Sequence, residues 1–244
     1  MIKKPNILKY VNKTKISIII PAYNEENTIK EILKRINKIK IKKEIIVIND
    51  GSRDDTLNIL KNYKKKYFDI LINLKKNKGK GNAIRQGLKK AKGEIIIIQD
   101  ADLEYNPKDY YNLIRPIIKN KTNVVYGSRV LKKSKRIISN NFTNRLRVLA
   151  NYFLTFFSNL INNQSLTDAH TCYKVFRRNL VAKLNLQENG FSFCPEITTK
   201  LSNLREDIIE IPISYKGREY NEGKKIKFSD GIEAILTIIK YKLT

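Results

Sequence analysis

The segment Glu94-Ile95-Ile96-Ile97-Ile98-Gln99-Asp100-Ala101-Asp102-Leu103-Glu104-Tyr105-Asn106-Pro107 constrains the fold more than any other. Four isoleucines in a row cannot form a strand with one wet face, because such a strand alternates apolar with polar residues. They predict a strand covered by helices on both sides, within a parallel sheet. Asp100 and Asp102 then stand where the strand must end, and Pro107 suits the first turn of a following helix. In open α/β sheets ligands sit in the crevice beyond the carboxyl ends of the strands. Carboxylates gathered there repel one another unless a cation joins them. A hard divalent ion such as Mg2+ needs only one or two of them, completing its shell with substrate phosphate and water. Alone, Asp-X-Asp is equally a polar turn that caps the next helix.

The rest of the chain repeats the pattern. Ile16-Ser17-Ile18-Ile19-Ile20 predicts a first strand, ending in Pro21-Ala22-Tyr23-Asn24-Glu25-Glu26-Asn27. Asn24 or Asn27 can cap the helix that carries Ile29, Ile32, Leu33 and Ile36 on one face. Glu44-Ile45-Ile46-Val47-Ile48-Asn49 predicts a second strand, ending in Asp50-Gly51-Ser52-Arg53-Asp54, with Leu57 and Leu60 facing inward on the next helix. A third strand over 69–74 leads to the basic turn Asn77-Lys78-Gly79-Lys80-Gly81 and a helix that Gly93 stops. Strand and helix alternating every 20–30 residues is the signature of βαβ units. Right-handed crossovers place Tyr23/Glu25, Asp50 and Asp100/Asp102 along one sheet edge. A nucleotide along that edge has Asp50 for base or ribose hydroxyls, Asp100 for ribose, and Asp102 to hold a metal on the diphosphate. Neither GxxxxGK[ST] nor a GxGxxG after the first strand is present, which argues against an ATPase and a dinucleotide-dependent oxidoreductase.

Beyond a fifth strand at Asn123-Val124-Val125-Tyr126, the stretch from Val130 to Asn140 is basic, with Lys132, Lys133, Lys135 and Arg136. A helix over 140–161 follows, and its second half is apolar nearly all round: Val148, Leu149, Tyr152, Phe153, Leu154, Phe156, Phe157, Leu160, Ile161. Such a helix is buried, or its outer side meets lipid, a membrane interface or a second subunit in a homodimer. A turn and short strand at 167–178, a helix from Phe191, a strand over 208–215, a cationic loop 216–225 and an amphipathic helix with Ile232, Ile235, Leu236, Ile239 and Leu243 complete the chain.

Composition bounds the partners. The net charge of +26 suits an anionic surface, but the lysines are scattered over helix faces and read first as solvated surface. No segment of eighteen or more apolar residues is present, and Met1-Ile2-Lys3-Lys4-Pro5 lacks the apolar core of a signal peptide. Cys172 and Cys194 make neither a disulfide framework nor a zinc site, so a reducing cytoplasm is the expected setting. His170, the one histidine, excludes multi-histidine metal chemistry and reads as structural.

These residues resemble family 2 glycosyltransferases of the GT-A fold, particularly the dolichyl- or polyprenyl-phosphate mannosyl- and glucosyltransferase branch. The resemblance spans about residues 15–240 and rests jointly on Pro21-Ala22-Tyr23-Asn24-Glu25, Asp50-Gly51-Ser52 with Asp54, Lys78-Gly79-Lys80-Gly81, Asp100-Ala101-Asp102-Leu103, Gly127-Ser128-Arg129, and Gly217-Arg218 with Gly223-Lys224-Lys225. It implies a single GT-A domain over 1–244, an α/β fold with a mostly parallel sheet, in which 15–125 binds the nucleotide sugar and 126–244 faces the acceptor. Pro21, Ala22, Tyr23, Glu25, Asp50, Lys80, Asp100 and Ala101 would line the donor, with Arg218 and Lys224 on its diphosphate. Asp100, Asp102 and Glu104 would hold Mg2+ or Mn2+; Glu104 stands where this branch usually has Gln. Arg129 and Arg145 would face the acceptor phosphate, Arg147 being a rival for the second position.

The expected activity is therefore metal-dependent inverting transfer of a hexose from a GDP- or UDP-sugar to a polyprenyl phosphate, by an enzyme peripheral to the cytoplasmic membrane face. Asp102, Arg129, Arg145 and Arg218 would carry the catalysis. Transfer to a sugar hydroxyl needs a carboxylate base, for which Asp168 and Glu196 are the candidates. A nucleic-acid-binding role has only the charge in its favour, since no RNA-recognition or helix-turn-helix pattern is present.

Overall fold

The computed structural model describes residues 13–131, 142–217 and 228–244, the side chains of 142–147 and 228 excepted. Seven strands, β1 (Ile16–Ala22), β2 (Lys43–Asp50), β3 (Ile70–Leu74), β4 (Ile95–Ile98), β5 (Val124–Ser128), β6 (Lys174–Arg177) and β7 (Ile208–Pro212), form one sheet in the order β3-β2-β1-β4-β6-β5-β7. Helices α1 (Ile29–Asn37), α2 (Thr56–Tyr63), α3 (Lys80–Leu88), α4 (Tyr110–Ile118), α5 (Phe142–Asn162), α6 (Leu180–Leu184), α7 (Phe193–Asn203) and α8 (Phe228–Leu243) flank it.

The isoleucine run behaves as its composition requires, with all four side chains at 1% exposure or less. The first helix buries Ile29, Ile32, Leu33 and Ile36, the 3.6-residue stripe read from the sequence. Strands β1 to β4 pair in parallel, with Ile98 opposite Ile19 and Ala22 opposite Asn49, so β1, β2 and β4 end along one edge. Strand β6 alone runs the other way, antiparallel to both β4 and β5. That reversal brings the residues preceding β6, 167–173, to the edge where the other strands finish.

One local expectation changes. Thr28, not Asn24 or Asn27, precedes α1. Asn24 instead takes a left-handed backbone (φ 52°), accepts from Arg53 N–H at 2.9 Å, and donates its own N–H to Ser52 Oγ at 3.0 Å. It sews the turn after β1 to the turn after β2. On α8 the apolar stripe points outward: Ile232, Leu236, Ile239 and Leu243 are exposed, while Ala234, Thr237, Ile238 and Tyr241 pack inside.

Helix α5 takes the second arrangement its composition allows, with an apolar side left exposed. Its exposed side carries Leu149, Tyr152, Phe153, Phe156 and Leu160, and its buried side carries Thr155, Ser158 and Asn162. The inward polar stripe has work to do. Asn151 Nδ2 donates to Asp168 Oδ1 (3.4 Å), Thr155 Oγ1 accepts from Ala169 N–H (3.4 Å), and Asn159 exchanges hydrogen bonds with the backbone of Leu166 (2.8 and 3.0 Å). Side chains four apart on one helix face satisfy a loop that would otherwise bury unpaired polar groups.

Candidate active site

The turns at the strand-end edge carry those predicted residues that are described, and they are tightly tied to one another. Asp50, 3% exposed at the end of β2, accepts from the backbone N–H groups of Lys78 (3.0 Å) and Gly79 (2.8 Å). Burial raises its carboxyl above the ordinary range, and these two N–H bonds pull the other way. Asp50 thus shapes the glycine turn as well as facing the edge. Gly79 adopts φ +94°, and a Cβ there would lie 2.4 Å from Asn189 O, so only glycine lets α3 start against that loop. Gly81 and Asn82 donate their backbone N–H groups to Gly190 O and Asn189 O.

Lys80, first residue of α3, meets Asp100 at 2.5 Å and lies 3.6 Å from Cys172 Sγ. Burial would lower its pKa; the Asp100 charge reverses this and holds the ammonium well above its usual value. Ala101 is buried at 3% exposure, so the side of the turn it offers a ligand is backbone. Leu103 takes a left-handed backbone (φ 66°), a strained conformation for a γ-branched residue and one that collects at functional turns. Through that turn Asp102 Oδ1 accepts from Glu104 N–H (3.1 Å), and Glu104 Oε2 accepts from Tyr215 O–H (2.8 Å). Before β2's turn, Glu25 is buried beside α1, its carboxylate accepting from Thr28 O–H at 2.7 Å, while Pro21 and Tyr23 are half-buried.

The expected trio Asp100, Asp102 and Glu104 does not converge as a three-carboxylate cage. Among the described residues no group of three or more His, Cys, Asp or Glu side chains is arranged to hold a metal ion. Physical reasons are visible: Lys80 holds Asp100 and Tyr215 engages Glu104. The donor set still fits Mg2+ or Mn2+, because hard carboxylate oxygens on one turn supply the one or two protein ligands such an ion takes when a diphosphate supplies the rest.

Arg129 follows β5 and is clamped by Asp168. Its Nε and Nη2 donate to Asp168 Oδ2 and Oδ1, both at 2.7 Å, and its backbone N–H donates to Oδ2 at 3.0 Å. The Asp168 side chain is fully buried and that of Arg129 14% exposed. Burial would raise the Asp168 carboxyl, but the Arg129 charge and hydrogen bonds outweigh it and hold the pKa below the ordinary value. The Arg129 guanidinium lies over the Tyr215 ring, 5.2 Å from its centroid, so the ring links it to Glu104 on the carboxylate turn. Glu210 on β7 seats the segment by accepting from the N–H groups of Thr167 (2.7 Å) and Asp168 (3.0 Å).

Both candidate bases are thereby accounted for. Asp168 is spent on Arg129, and Glu196, fully buried on α7, accepts from the N–H groups of Gln187 (2.6 Å) and Glu188 (2.9 Å) and from Lys200 Nζ (2.8 Å). His170 has a buried, unpartnered Nε2, and burial lowers its pKa to about 4, so it is neutral. Arg218, Lys224 and the loop lysines Lys132, Lys133 and Lys135 with Arg136 lie outside the described residues, as do the side chains of Arg145 and Arg147. The sequence reading missed Tyr215 and Lys174. An aromatic residue and a lysine near a strand give no local signal; only the sheet order brings them to Arg129.

Comparison with known proteins points one way. The sequence profile described as Glycosyl transferase family 2 matches residues 17–184. The chain is 29% identical, over 92% of its length and 72% of the relative's, to a dolichyl-phosphate beta-glucosyltransferase of Trichomonas vaginalis. It is 28% identical, over 93% of its length and 96% of the relative's, to a UDP-N-acetylglucosamine–dolichyl-phosphate N-acetylglucosaminyltransferase of Methanococcus voltae. Among solved structures, glucosyl-3-phosphoglycerate synthase of Mycobacterium tuberculosis, in complex with Mn2+, UDP and glucosyl-3-phosphoglycerate, superposes with a TM-score of 0.69 at 17% identity, covering 99% of this chain and 86% of that one.

Proposed function

Because the chain belongs to glycosyl transferase family 2, we propose that this glycosyltransferase moves a hexose from a nucleotide sugar to a polyprenyl phosphate at the cytoplasmic face of a membrane. The observation that carries the acceptor class is the state of Asp168 and Glu196. A sugar hydroxyl needs a carboxylate to take its proton, and both candidates are buried and fully engaged. A lipid phosphate arrives ionised and needs a cation, which Arg129 supplies from the edge of the sheet. The dolichyl phosphate in the names of two relatives supports the same class.

On the donor side, Asp50 orders the Lys78-Gly79 turn, and Lys80 with Asp100 sets the charge beside it. Asp102, with Asp100 and Glu104 nearby, would hold Mg2+ or Mn2+, whose charge would favour departure of the nucleoside diphosphate. Divalent ions and UDP in a structural relative support this assignment. Pro21, Tyr23 and Glu25 border the nucleotide; Arg218 and Lys224 are assigned to the diphosphate and Arg145 to the acceptor by resemblance alone.

The reading of membrane contact is supported by α5 and α8, which pack against each other and expose Leu149, Phe153, Phe156, Leu160, Leu236 and Leu243. No helix among the described residues is long and apolar enough to cross a membrane. An apolar face beside a strongly cationic chain suits the plane of an anionic bilayer. The test is direct: incubate the protein with radiolabelled UDP- and GDP-hexoses, Mn2+ and a polyprenyl phosphate, then extract with organic solvent. Label in the organic phase is expected; label confined to water-soluble glycan refutes the lipid acceptor.

A further inference from the structure

Lys174 is wholly buried in the middle of the molecule, where a lysine is rarely found. No ion pair among the described residues includes it. Its ammonium donates to Ala169 O at 2.7 Å and lies 3.8 Å from the centroid of the Tyr126 ring. Tyr126 sits directly opposite Lys174 across the β5–β6 pair, and its hydroxyl is fixed by Thr198 Oγ1 on α7 at 3.0 Å. The cation is therefore held by a carbonyl and a ring face, without a carboxylate to neutralise it.

What Lys174 holds is the significant part. Ala169 is the residue after Asp168, and Asp168 is the clamp on Arg129. The Arg129–Asp168 pair taken together is neutral, so it presents little net field to an arriving anion. The Glu210 carboxylate, which accepts from the N–H groups of Thr167 and Asp168, adds a further negative charge; a lysine behind them offsets it, and its bond to Ala169 O fixes the peptide from which the Asp168 carboxylate projects. A neutral donor would satisfy the carbonyl without the desolvation penalty of an unpaired buried ammonium. The charge itself needs a reason.

We propose that Lys174 is a positioning residue for the acceptor phosphate, holding the 168–169 peptide so that Arg129 is set, and supplying the positive charge that offsets the Asp168 and Glu210 carboxylates beside Arg129. This rests on the reading of Arg129 as the acceptor-facing cation. Burial pulls the Lys174 pKa down to about 8. The groups that act on it are Asp168 and Arg129 beside it, His170 and Cys172 in the preceding segment, and Cys194 on α7. Tyr126 on β5 faces it, with Glu210 of β7 near that ring. Asp168 is ionised and His170 neutral well below pH 8, so neither of them accounts for a charge change there.

The test compares wild type with K174M, K174Q and R129A, as full chains in detergent with polyprenyl phosphate. Donor and acceptor kinetics are measured separately from pH 6.5 to 9.5, with melting temperature and Mn2+–nucleotide thermal shift as controls. K174M is expected to fold, keep the donor KM, and lose about 10- to 100-fold in kcat/KM for the acceptor. K174Q, which keeps a donor without the charge, should fall between. Wild-type acceptor kcat/KM should decline above about pH 8, and that limb should be absent from K174M. Wild-type acceptor kinetics in K174M, or an equal loss in donor binding, overturns the proposal. Should both variants unfold, a wild-type profile flat through pH 9 overturns it. R129A with full acceptor kinetics brings down the underlying reading instead; loss in R129A with none in K174M removes Lys174 alone.

Discussion

At the scale of single residues, the same carboxyl chemistry serves two ends, and substitution separates them. Asp168 is a buried structural counter-ion, so Asp168→Asn leaves the Arg129 guanidinium buried with no charge to balance it. A loss of about 3–5 kcal/mol is expected, read as a lower urea midpoint. Asp102 sits on the rim turn, so Asp102→Asn should leave the melting temperature nearly unchanged while turnover falls by about 100-fold or more. A stable, fully active Asp102→Asn enzyme removes Asp102 from the site. His170 gives a pH prediction. Its pKa is about 4 folded against an ordinary 6.5, so between those values the unfolded chain binds a proton the folded chain refuses. The stability it contributes is complete above pH 6.5 and drains away as the pH falls toward 4. His170→Asn should flatten the urea-midpoint slope across that window, and an unchanged slope rules the assignment out. The sequence marked Asp102 by its place after an isoleucine run; it marked Asp168 only as a possible base. Nothing local tells a counter-ion from a base, because the difference lies in which cation the fold brings opposite.

Among elements, α5 decides between the two arrangements its composition allows, and for a clear reason. Helical periodicity reports which residues share a face, and the usual inference sends the apolar face inward. Here the segment 166–169 arrives beneath the helix with backbone groups and an aspartate to satisfy, and Asn151, Thr155 and Asn159 meet that need. The apolar side is left outward by default. Phe153→Asp with Phe156→Asp removes two large groups from that side without touching the inner stripe. Each fully buried Phe is worth about 1.5–3 kcal/mol, so the pair should abolish co-sedimentation with anionic vesicles. Melting temperature should hold steady, since both side chains are more than half exposed already. Unaltered vesicle binding in the double variant would place the membrane contact elsewhere on the protein.

For the whole molecule, the balance of interest is between +26 net charges and one apolar face. Scattered lysines give a long-range attraction that salt screens over about 8–10 Å, whereas burial of apolar area is insensitive to moderate salt. Binding to vesicles rich in anionic lipid should therefore weaken several-fold between low and physiological salt and then level off at the apolar contribution. Binding that vanishes with salt assigns the contact to charge alone; binding equally strong on neutral vesicles assigns it to the apolar face alone.

By itself the chain determined the strands, the helices between them, and the acidic groups at three strand ends. Each of these is written in a run of neighbouring residues: a buried strand in four isoleucines, a turn in Asp-Gly or Lys-Gly, a parallel sheet in the alternation of the two periods. Tertiary structure decided what those groups touch. The reversal of β6 carries Asp168 and Lys174 to Arg129, the return of β7 carries Tyr215 under the guanidinium, and a loop beneath α5 turns that helix inside out. Partners separated by dozens of residues leave no trace in either stretch alone, because the energy that joins them is spent on desolvation and pairing only once the sheet has closed.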